Sequence, residues 1–213
     1  MTRPPTLVVV SGTGTEIGKT WVTTAAARDL RARGVAVAVR KPAQSFSPDD
    51  PHPRDADVLA GATGEDATAV CPRHRSYALA MAPPMAAEAL GLEPFTIADL
   101  VAELHWPVGT EVGLVEGAGG PRSPLAADGD TVDLARELAP DLIVLVGDAG
   151  LGTISGVRLA SAPLVTEAPV AVFLNRYDDA DDLHRRNRAW LARELDVHVA
   201  VESLATRITG QRP

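Results

Sequence analysis

Short apolar runs alternate along the chain with longer segments in which apolar residues recur at helical spacing. The short runs are rich in valine, leucine and isoleucine and predict buried strands, at residues 6–10, 35–40, 112–115, 141–147, 169–174 and 197–201. The periodic segments predict helices, at residues 20–33, 56–64, 84–91, 96–104, 131–138, 153–165 and 182–195. This alternation indicates an α/β fold with a mostly parallel sheet and helices on both of its faces.

No repeat, low-complexity tract or clear linker interrupts this pattern, so we expect a single domain over residues 1–213. In parallel α/β sheets, ligands bind beyond the carboxyl ends of the strands. Polar or glycine-rich residues follow five of the predicted strands, at residues 12–20, 41–45, 116–120, 148–152 and 175. The sequence therefore predicts a binding site at this edge of the sheet.

Composition limits the classes of ligand and the cellular compartment that fit this chain. The chain is 46% hydrophobic with a formal net charge of −8, which disfavours a general nucleic-acid surface. An anionic ligand remains possible, because a phosphate site needs only local N–H groups and one or two cations. Cys71 is the one cysteine, so an internal disulfide is excluded. No targeting segment or membrane-spanning run is visible; we expect a cytoplasmic protein with no nucleic-acid and no membrane partner.

The segment GTGTEIGKT, residues 12–20, is typical of a phosphate-binding loop between a strand and a helix. The general form G-x-x-x-x-G-K-[ST] would place its first glycine at position 13, where Thr13 stands instead. Gly18 allows close approach of a phosphate, Lys19 can reach the β- and γ-phosphates, and the Thr20 hydroxyl can bind Mg²⁺. The alternative is a glycine-rich turn without a ligand.

Three further residues extend the predicted site. Glu116 ends an apolar strand and is followed by glycines. In phosphate-loop enzymes, an acidic residue at the end of such a strand helps to hold Mg²⁺. Asp57 follows a loop rich in proline and aspartate and can supply a second carboxylate, although acids also occur at helix starts. Lys41 closes the second strand, where it can neutralise a transferring phosphoryl group or simply be a solvated charge.

Together these segments resemble the dethiobiotin synthetase family. The family's phosphate loop, G-T-x-T-[EG]-[VI]-G-K-T, carries the additional residue and matches residues 12–20. KPAQS (41–45), DADVL (55–59), VEGAGG (115–120) and FLNRYDD (173–179) are similar to the family's further motifs. The resemblance covers nearly the whole chain.

The resemblance implies an ATP- and Mg²⁺-dependent cyclo-ligase of biotin biosynthesis. Its substrates would be 7,8-diaminononanoate, CO₂ or bicarbonate, and ATP, and the products dethiobiotin, ADP and phosphate, formed through a phosphorylated carbamate. The family works as a homodimer. By resemblance, the catalytic residues would be Lys19 and Lys41, and the metal ligands Thr20, Asp57 and Glu116. ATP would contact Glu16, Ile17, Gly18, Lys19, Thr20, Trp21, Asp57, Glu116, Gly117, Ala118, Gly119 and Asn175. The substrate would contact Thr15, Lys41, Ser45 and Gly119.

Three positions depart from the family pattern. Phe46 stands where the family usually has glycine, Ser155-Gly156 replaces a frequent Asn-His pair, and AVESLAT lacks a proline near the base site. Two other functions remain open. A partitioning-type ATPase would usually carry a lysine near the start of the loop, and a related amidoligase would usually carry an additional glutaminase domain.

Overall fold

The computed structural model describes residues 3–210, so the five terminal residues of the predicted domain lie outside the described part. The strands, numbered in chain order, are β1 (Thr6–Gly12), β2 (Val37–Arg40), β3 (Gln44–Ser45), β4 (Ser76–Tyr77), β5 (Val112–Glu116), β6 (Pro124–Ala126), β7 (Gly129–Asp130), β8 (Leu142–Asp148), β9 (Val170–Asn175) and β10 (Asp196–His198). The helices are α1 (Lys19–Ala32), α2 (Asp55–Thr63), α3 (Ala67–Val70), α4 (Pro83–Ala89), α5 (Ile97–Ala102), α6 (Thr131–Leu138), α7 (Thr153–Ser161), α8 (Asp182–Leu191) and α9 (Val201–Thr209).

Six strands form the main sheet in the order β10-β9-β8-β1-β5-β2, and every neighbouring pair is parallel. The predicted α/β fold with a mostly parallel sheet is therefore confirmed. The register aligns the carboxyl ends of the central strands: Val10 lies opposite Glu116, and Asp148 lies opposite Asn175. Residues at these strand ends consequently meet at one edge of the sheet.

Helices cover both faces of the sheet, as predicted. Because side chains alternate along a strand, Leu7 and Val9 enter the core beneath α4–α8, whereas Val8 and Val10 enter the core beneath α1, α2 and α9. Leu30 of α1 is fully buried in the second core. This packing fixes α1, and with it the loop that precedes α1, against the centre of the sheet.

The carboxyl-terminal segment differs from the prediction. The strand expected at 197–201 ends at His198, and the chain enters α9 at Val201. The three residues Leu204, Ala205 and Ile208 lie on one face of α9 and are buried, so helical packing against the sheet takes precedence over the short apolar run. A strand prediction for a short apolar run is ambiguous in this way.

Two predicted helices end four residues earlier than expected, and two small strand pairs were not predicted. Helix α7 ends at Ser161 rather than at residue 165, because Pro163 has no N–H to continue the helical ladder. Helix α8 ends at Leu191 rather than at residue 195. The unpredicted pairs are β3–β4 and β6–β7, which contain two or three residues in each strand.

Across residues 3–210, no helix has both the length and the apolar composition that crossing a membrane would require.

Candidate active site

The phosphate-binding loop turns sharply after β1. Gly12 has no room for a side chain, since an ideal Cβ there would lie 2.7 Å from Ile17 Cγ2. The Thr13 N–H donates to the carbonyl of Val146 at 2.8 Å. Thr13, which stands where the general motif has its first glycine, is therefore hydrogen-bonded to β8. The chain leaves the sheet only after Thr13.

The end of the loop presents an environment suited to an anion. Gly18 adopts a left-handed conformation (φ 93°) immediately before α1, which has no side-chain cap and no acidic residue in its first turn. The first N–H groups of a helix lack intrahelical partners and carry the positive end of its dipole. Lys19 Nζ donates to the Gly14 carbonyl at 2.9 Å and lies across the same loop. Backbone donors and one ammonium thus surround the loop, as phosphate binding requires.

Two carboxylates meet the hydroxyl of Thr20. Thr20 Oγ1 lies 2.8 Å from Glu116 Oε1 and 2.9 Å from Asp55 Oδ1. One hydroxyl carries one proton and can donate to only one of them at a time. Mg²⁺ prefers such oxygen ligands, and proteins usually hold it through one or two carboxylates together with substrate phosphates. The described residues contain no group of three or more His, Cys, Asp and Glu side chains that could hold a metal. Two carboxylates and one hydroxyl fit a Mg²⁺ ion that takes its other ligands from phosphates and water.

Asp55, and not Asp57, is the carboxylate that reaches this group. Asp57 Oδ2 instead accepts a hydrogen bond from Arg54 Nε at 3.0 Å, near the protein surface. Two residues separated by two positions on a helix point about 200° apart around its axis, so α2 cannot direct both aspartates at Glu116. The structure thus places Asp55, and not the predicted Asp57, beside Thr20 and Lys41.

Lys41 lies buried between the same two carboxylates. Its Nζ is 2.8 Å from Glu116 Oε1, 2.8 Å from Asp55 Oδ2 and 3.1 Å from the Gly117 carbonyl. Burial alone would lower the pKa of Lys41, but the charges of Glu116 and Asp55 outweigh burial and raise this pKa well above its usual value. Burial likewise acts to raise the pKa of Asp55, but the Lys41 ammonium outweighs it and lowers that pKa. Lys41 and Asp55 therefore form a charged pair at neutral pH.

Lys19 is in a different electrostatic position. Burial, together with the nearby charge of Lys41, lowers the pKa of Lys19 to about 8. The carboxylates of Glu116 and Asp55 act in the opposite direction but do not cancel these effects. Lys19 is consequently a cation at neutral pH that begins to lose its proton in mildly alkaline solution.

Besides Lys41, the residues predicted to contact the substrate come from three separate segments of the chain. Gly119 has a φ of 63°, and an ideal Cβ on it would lie 3.7 Å from Thr15 Oγ1, so these two residues are neighbours. Gly117 leaves no room for a side chain, because its ideal Cβ would lie 2.7 Å from Thr131 Oγ1. Ala118, between them, is partly buried against the core. Ser45 lies on β3 and donates to the Met81 carbonyl, and within residues 3–210 no hydrogen bond joins it to Thr15 or Gly119.

A cleft of about 460 Å³ opens beside Gly18. It is lined by Gly18, Trp21, Phe173, Leu174, Asn175, Arg176, Tyr177, Val199 and Val201. Asn175 Nδ2 donates to the Ile17 carbonyl at 3.0 Å, and its other amide atom, an acceptor oxygen, is not engaged in that bond. The cleft therefore runs from the phosphate-binding loop toward the end of β9 and the start of α9. A nucleotide with its phosphates at the loop could place its base there.

Arg176 is a residue that the sequence predictions missed. It has a φ of 56° and directs its guanidinium toward the Glu16 carbonyl at 3.2 Å and toward Asp148 Oδ2 at 3.1 Å. It thus connects the tip of the phosphate loop to the end of β8. The rule that sites form at strand ends could have found Arg176, because it follows β9 directly.

Comparison with known proteins shows the family to which the chain belongs. A family model described as an AAA domain matches residues 6–205. The ATP-dependent dethiobiotin synthetase of Caulobacter vibrioides is 36% identical over 182 residues, which cover 82% of this chain and 81% of that protein. The ATP-dependent dethiobiotin synthetase of Xanthomonas campestris pv. campestris is 32% identical over 206 residues, covering 95% and 84% respectively. The chain belongs to the dethiobiotin synthetase family.

Membership of the dethiobiotin synthetase family confirms the predicted resemblance and the prediction of an ATP-dependent ligase. The fold is also found in the signal recognition particle receptor FtsY of Elizabethkingia anophelis. That structure has a TM-score of 0.54 and 16% identity, covering 99% of this chain and 66% of that chain. At this identity the likeness concerns the fold alone, and it agrees with the predicted phosphate-loop type of sheet.

The departures from the family pattern have definite surroundings. The Phe46 ring lies beneath the guanidinium of Arg54, with 5.4 Å between the Arg54 Cζ and the ring centroid, and the Phe46 N–H donates to the Tyr77 carbonyl. Ser155 is exposed on α7, and an ideal Cβ on Gly156 would lie 4.0 Å from Thr13 Cβ. The first departure is therefore covered by a neighbouring side chain, and the second borders the start of the phosphate loop.

We expect Asp55→Asn to raise the Mg²⁺ concentration needed for half-maximal ATP turnover by about tenfold or more, because even partners of metal ligands typically contribute that much to metal affinity. Asp57→Asn is the matched control, since it removes the same charge two residues away, and it should leave the Mg²⁺ titration unchanged. If the Mg²⁺ concentration for half-maximal turnover changed equally in the two variants, or did not change in Asp55→Asn, Asp55 would not be a metal ligand.

The affinity of the protein for ATP should fall by about tenfold between pH 7 and pH 9. This fall is expected if ATP binds only the protein in which Lys19 is protonated, because the pKa of Lys19 is about 8. Lys19 is protonated below this pKa and attracts the phosphates, and it loses that charge as the pH rises. Lys19→Arg keeps its charge over this range, so its affinity should stay nearly constant. Calorimetric titration at several pH values tests this; a parallel decline in Lys19→Arg would assign the effect to another group.

Proposed function

We propose that the protein catalyses the ATP- and Mg²⁺-dependent carboxylation and ring closure of 7,8-diaminononanoate with CO₂. The products would be dethiobiotin, ADP and phosphate. The observation that carries this proposal is the joining of Lys41, Asp55, Glu116 and Thr20 at the foot of the phosphate loop, in a chain of the dethiobiotin synthetase family.

The chemistry has three steps. One amine of the diamine adds to CO₂ and loses a proton, which gives a carbamate. A carbamate oxygen then attacks the γ-phosphorus of ATP, the bond to the bridging oxygen breaks, and ADP leaves. The second amine attacks the carbonyl carbon of this mixed anhydride, phosphate departs, and loss of a proton leaves a cyclic urea. The protein mainly has to position three reactants and stabilise phosphoryl charge.

Each group at the site has a proposed task in these steps. Lys19 and the first N–H groups of α1 would hold the phosphates. Thr20, Asp55 and Glu116 would hold Mg²⁺, which would neutralise phosphate charge. Lys41 would stabilise the carbamate and the transferring phosphoryl group, and its burial supports a site from which water is excluded. Thr15, Ser45 and Gly119 would contact the diamine or the carbamate.

The nucleotide would extend from the loop into the cleft beside Gly18. Glu16, Ile17, Gly117 and Ala118 would border its phosphates. The side-chain oxygen of Asn175 would accept a hydrogen bond from the amino group of adenine. The hydrogen bond from Asn175 Nδ2 to the Ile17 carbonyl supports this role, because it fixes the orientation of the amide.

Several wider features remain predictions. The continuous six-stranded sheet supports the proposal that residues 1–213 form one synthetase domain. A homodimer, a cytoplasmic location, and the absence of nucleic-acid and membrane partners rest on the sequence and on the family.

The proposal requires coupling between the substrates, because the acceptor of the phosphoryl group exists only after the diamine and CO₂ have combined. ADP release should be slow with ATP and Mg²⁺ alone. It should remain slow when 7,8-diaminononanoate or bicarbonate is added singly in CO₂-depleted buffer, and it should rise sharply with both. One cyclic urea should form for each ADP, as measured by mass spectrometry alongside an ADP assay.

Other results would point to other functions. ATP hydrolysis that ignores both compounds would indicate a nucleotide switch of the partitioning type. Stimulation by a different acid, without cyclised product, would indicate a related amidoligase. Either result from folded, ATP-binding protein would overturn the proposed reaction.

Trp21 gives a second test of the nucleotide position. It lines the cleft and is 57% exposed, so a bound base should cover it and change its fluorescence. Trp21→Val should weaken ATP binding by about fivefold or more, the lower end of the ~1–3 kcal/mol typical of base–aromatic stacking. Trp190→Val is the control, because Trp190 is 49% exposed on α8 and does not line the cleft. Equal affinities in the two variants would exclude Trp21 from the base site.

A further inference from the structure

The ammonium of Lys41 has no donor left for a substrate. It carries three N–H groups, and three acceptors surround it at hydrogen-bonding distance: Glu116 Oε1, Asp55 Oδ2 and the Gly117 carbonyl. The Lys41 side chain is 3% exposed, so water cannot readily replace any of these partners. To bind a carbamate or a phosphoryl oxygen, Lys41 has to give up one of them.

The carboxylates are equally occupied. Asp55 Oδ1 faces Thr20 and Asp55 Oδ2 faces Lys41. Glu116 Oε1 faces both Thr20 and Lys41. Glu116 Oε2 accepts a hydrogen bond of 2.6 Å from Thr23 Oγ1. A divalent cation beside the Thr20 hydroxyl would take Asp55 Oδ1 and Glu116 Oε1, the two oxygens that Thr20 now contacts. Lys41 already holds Glu116 Oε1, so the cation must share or displace that contact.

Charge leads to the same conclusion. Asp55 and Glu116 together contribute two negative charges, and Lys41 between them cancels one. A divalent cation placed beside them would also be repelled by the Lys41 ammonium, which is buried next to Glu116, where charges interact strongly. Without phosphate oxygens from a nucleotide, the protein alone offers a divalent cation little net attraction.

We propose that Lys41 acts as an internal counter-ion that competes with the divalent metal for Asp55 and Glu116. Metal binding releases Lys41 from at least one carboxylate, and the freed N–H can then bind an anionic group of the substrate. Metal binding by the protein alone is kept weak, so that the metal enters together with the nucleotide. This inference rests on the metal site of the proposed function and adds a regulatory role for Lys41 within it.

The test is direct binding of Mn²⁺, a spectroscopic substitute for Mg²⁺, measured by electron paramagnetic resonance without nucleotide, diamine or CO₂. Lys41→Met removes the competing charge and should tighten Mn²⁺ binding by about tenfold or more, given the strength of charge interactions at a buried site. Lys19→Met is the matched control. The Lys19 Nζ donates to the Gly14 carbonyl and not to a carboxylate, so its loss should produce a much smaller gain.

A second variant guards against misfolding of Lys41→Met. Lys41→Gln retains hydrogen-bonding capacity without charge and should tighten Mn²⁺ binding in the same direction, with circular dichroism confirming the fold of each variant. Unchanged or weaker Mn²⁺ binding in a folded Lys41 variant would overturn the proposal. An equal gain in Lys19→Met would do so as well, because it would show a general charge effect. These measurements use no reaction, so a failed substrate-coupling assay would count against the proposed function and not against this inference.

Discussion

The buried carboxylate of Glu116 is the constraint on which the site depends. Its side chain is completely inaccessible to solvent, and an unpaired charge in such a position would be very unfavourable. The parallel sheet places Glu116 at the end of β5, and two separate segments bring it partners: Thr20 and Thr23 from α1, and Lys41 from the end of β2. Satisfying one charge therefore holds the phosphate-loop helix and the second strand in a fixed relation to β5.

The same requirement explains the position of α2. Lys41, which neutralises Glu116, has further N–H groups that need acceptors, and Asp55 in the first turn of α2 supplies one. Gln44 reinforces this arrangement, since its side-chain oxygen accepts from the N–H of Ala56 at 3.0 Å. A chain of polar contacts thus runs from the sheet through Lys41 to α2. Removing one partner from such a buried network leaves the others unsatisfied, which is why its members are expected to act as a unit.

Much of this site could be predicted because parallel strand ends always meet at one edge of the sheet. Lys19, Lys41 and Glu116 were recognisable from strand positions and residue chemistry alone. The choice between Asp55 and Asp57 was not, because it depends on the rotation of α2 about its axis, which no local pattern determines. The contact of Arg176 with the Glu16 carbonyl joins segments 160 residues apart. Helix α9 was missed because the apolar residues Val199, Ala200 and Val201 follow β10 directly, so that no polar residue marks where the strand ends and the helix begins.

An acidic protein can bind a highly charged anion because local and overall charge act over different distances. The chain has a net charge of −8, but charges at the exposed surface are screened beyond about 8–10 Å at physiological ionic strength. At the loop, the phosphates would meet Lys19 and the helix N–H groups at contact distance, where screening is weak. Asp55 and Glu116 would oppose them if they stood alone, yet Lys41 already cancels part of their charge. The site is therefore close to neutral before any ligand arrives, and a metal and a nucleotide of opposite charge can enter it together at lower electrostatic cost than either alone.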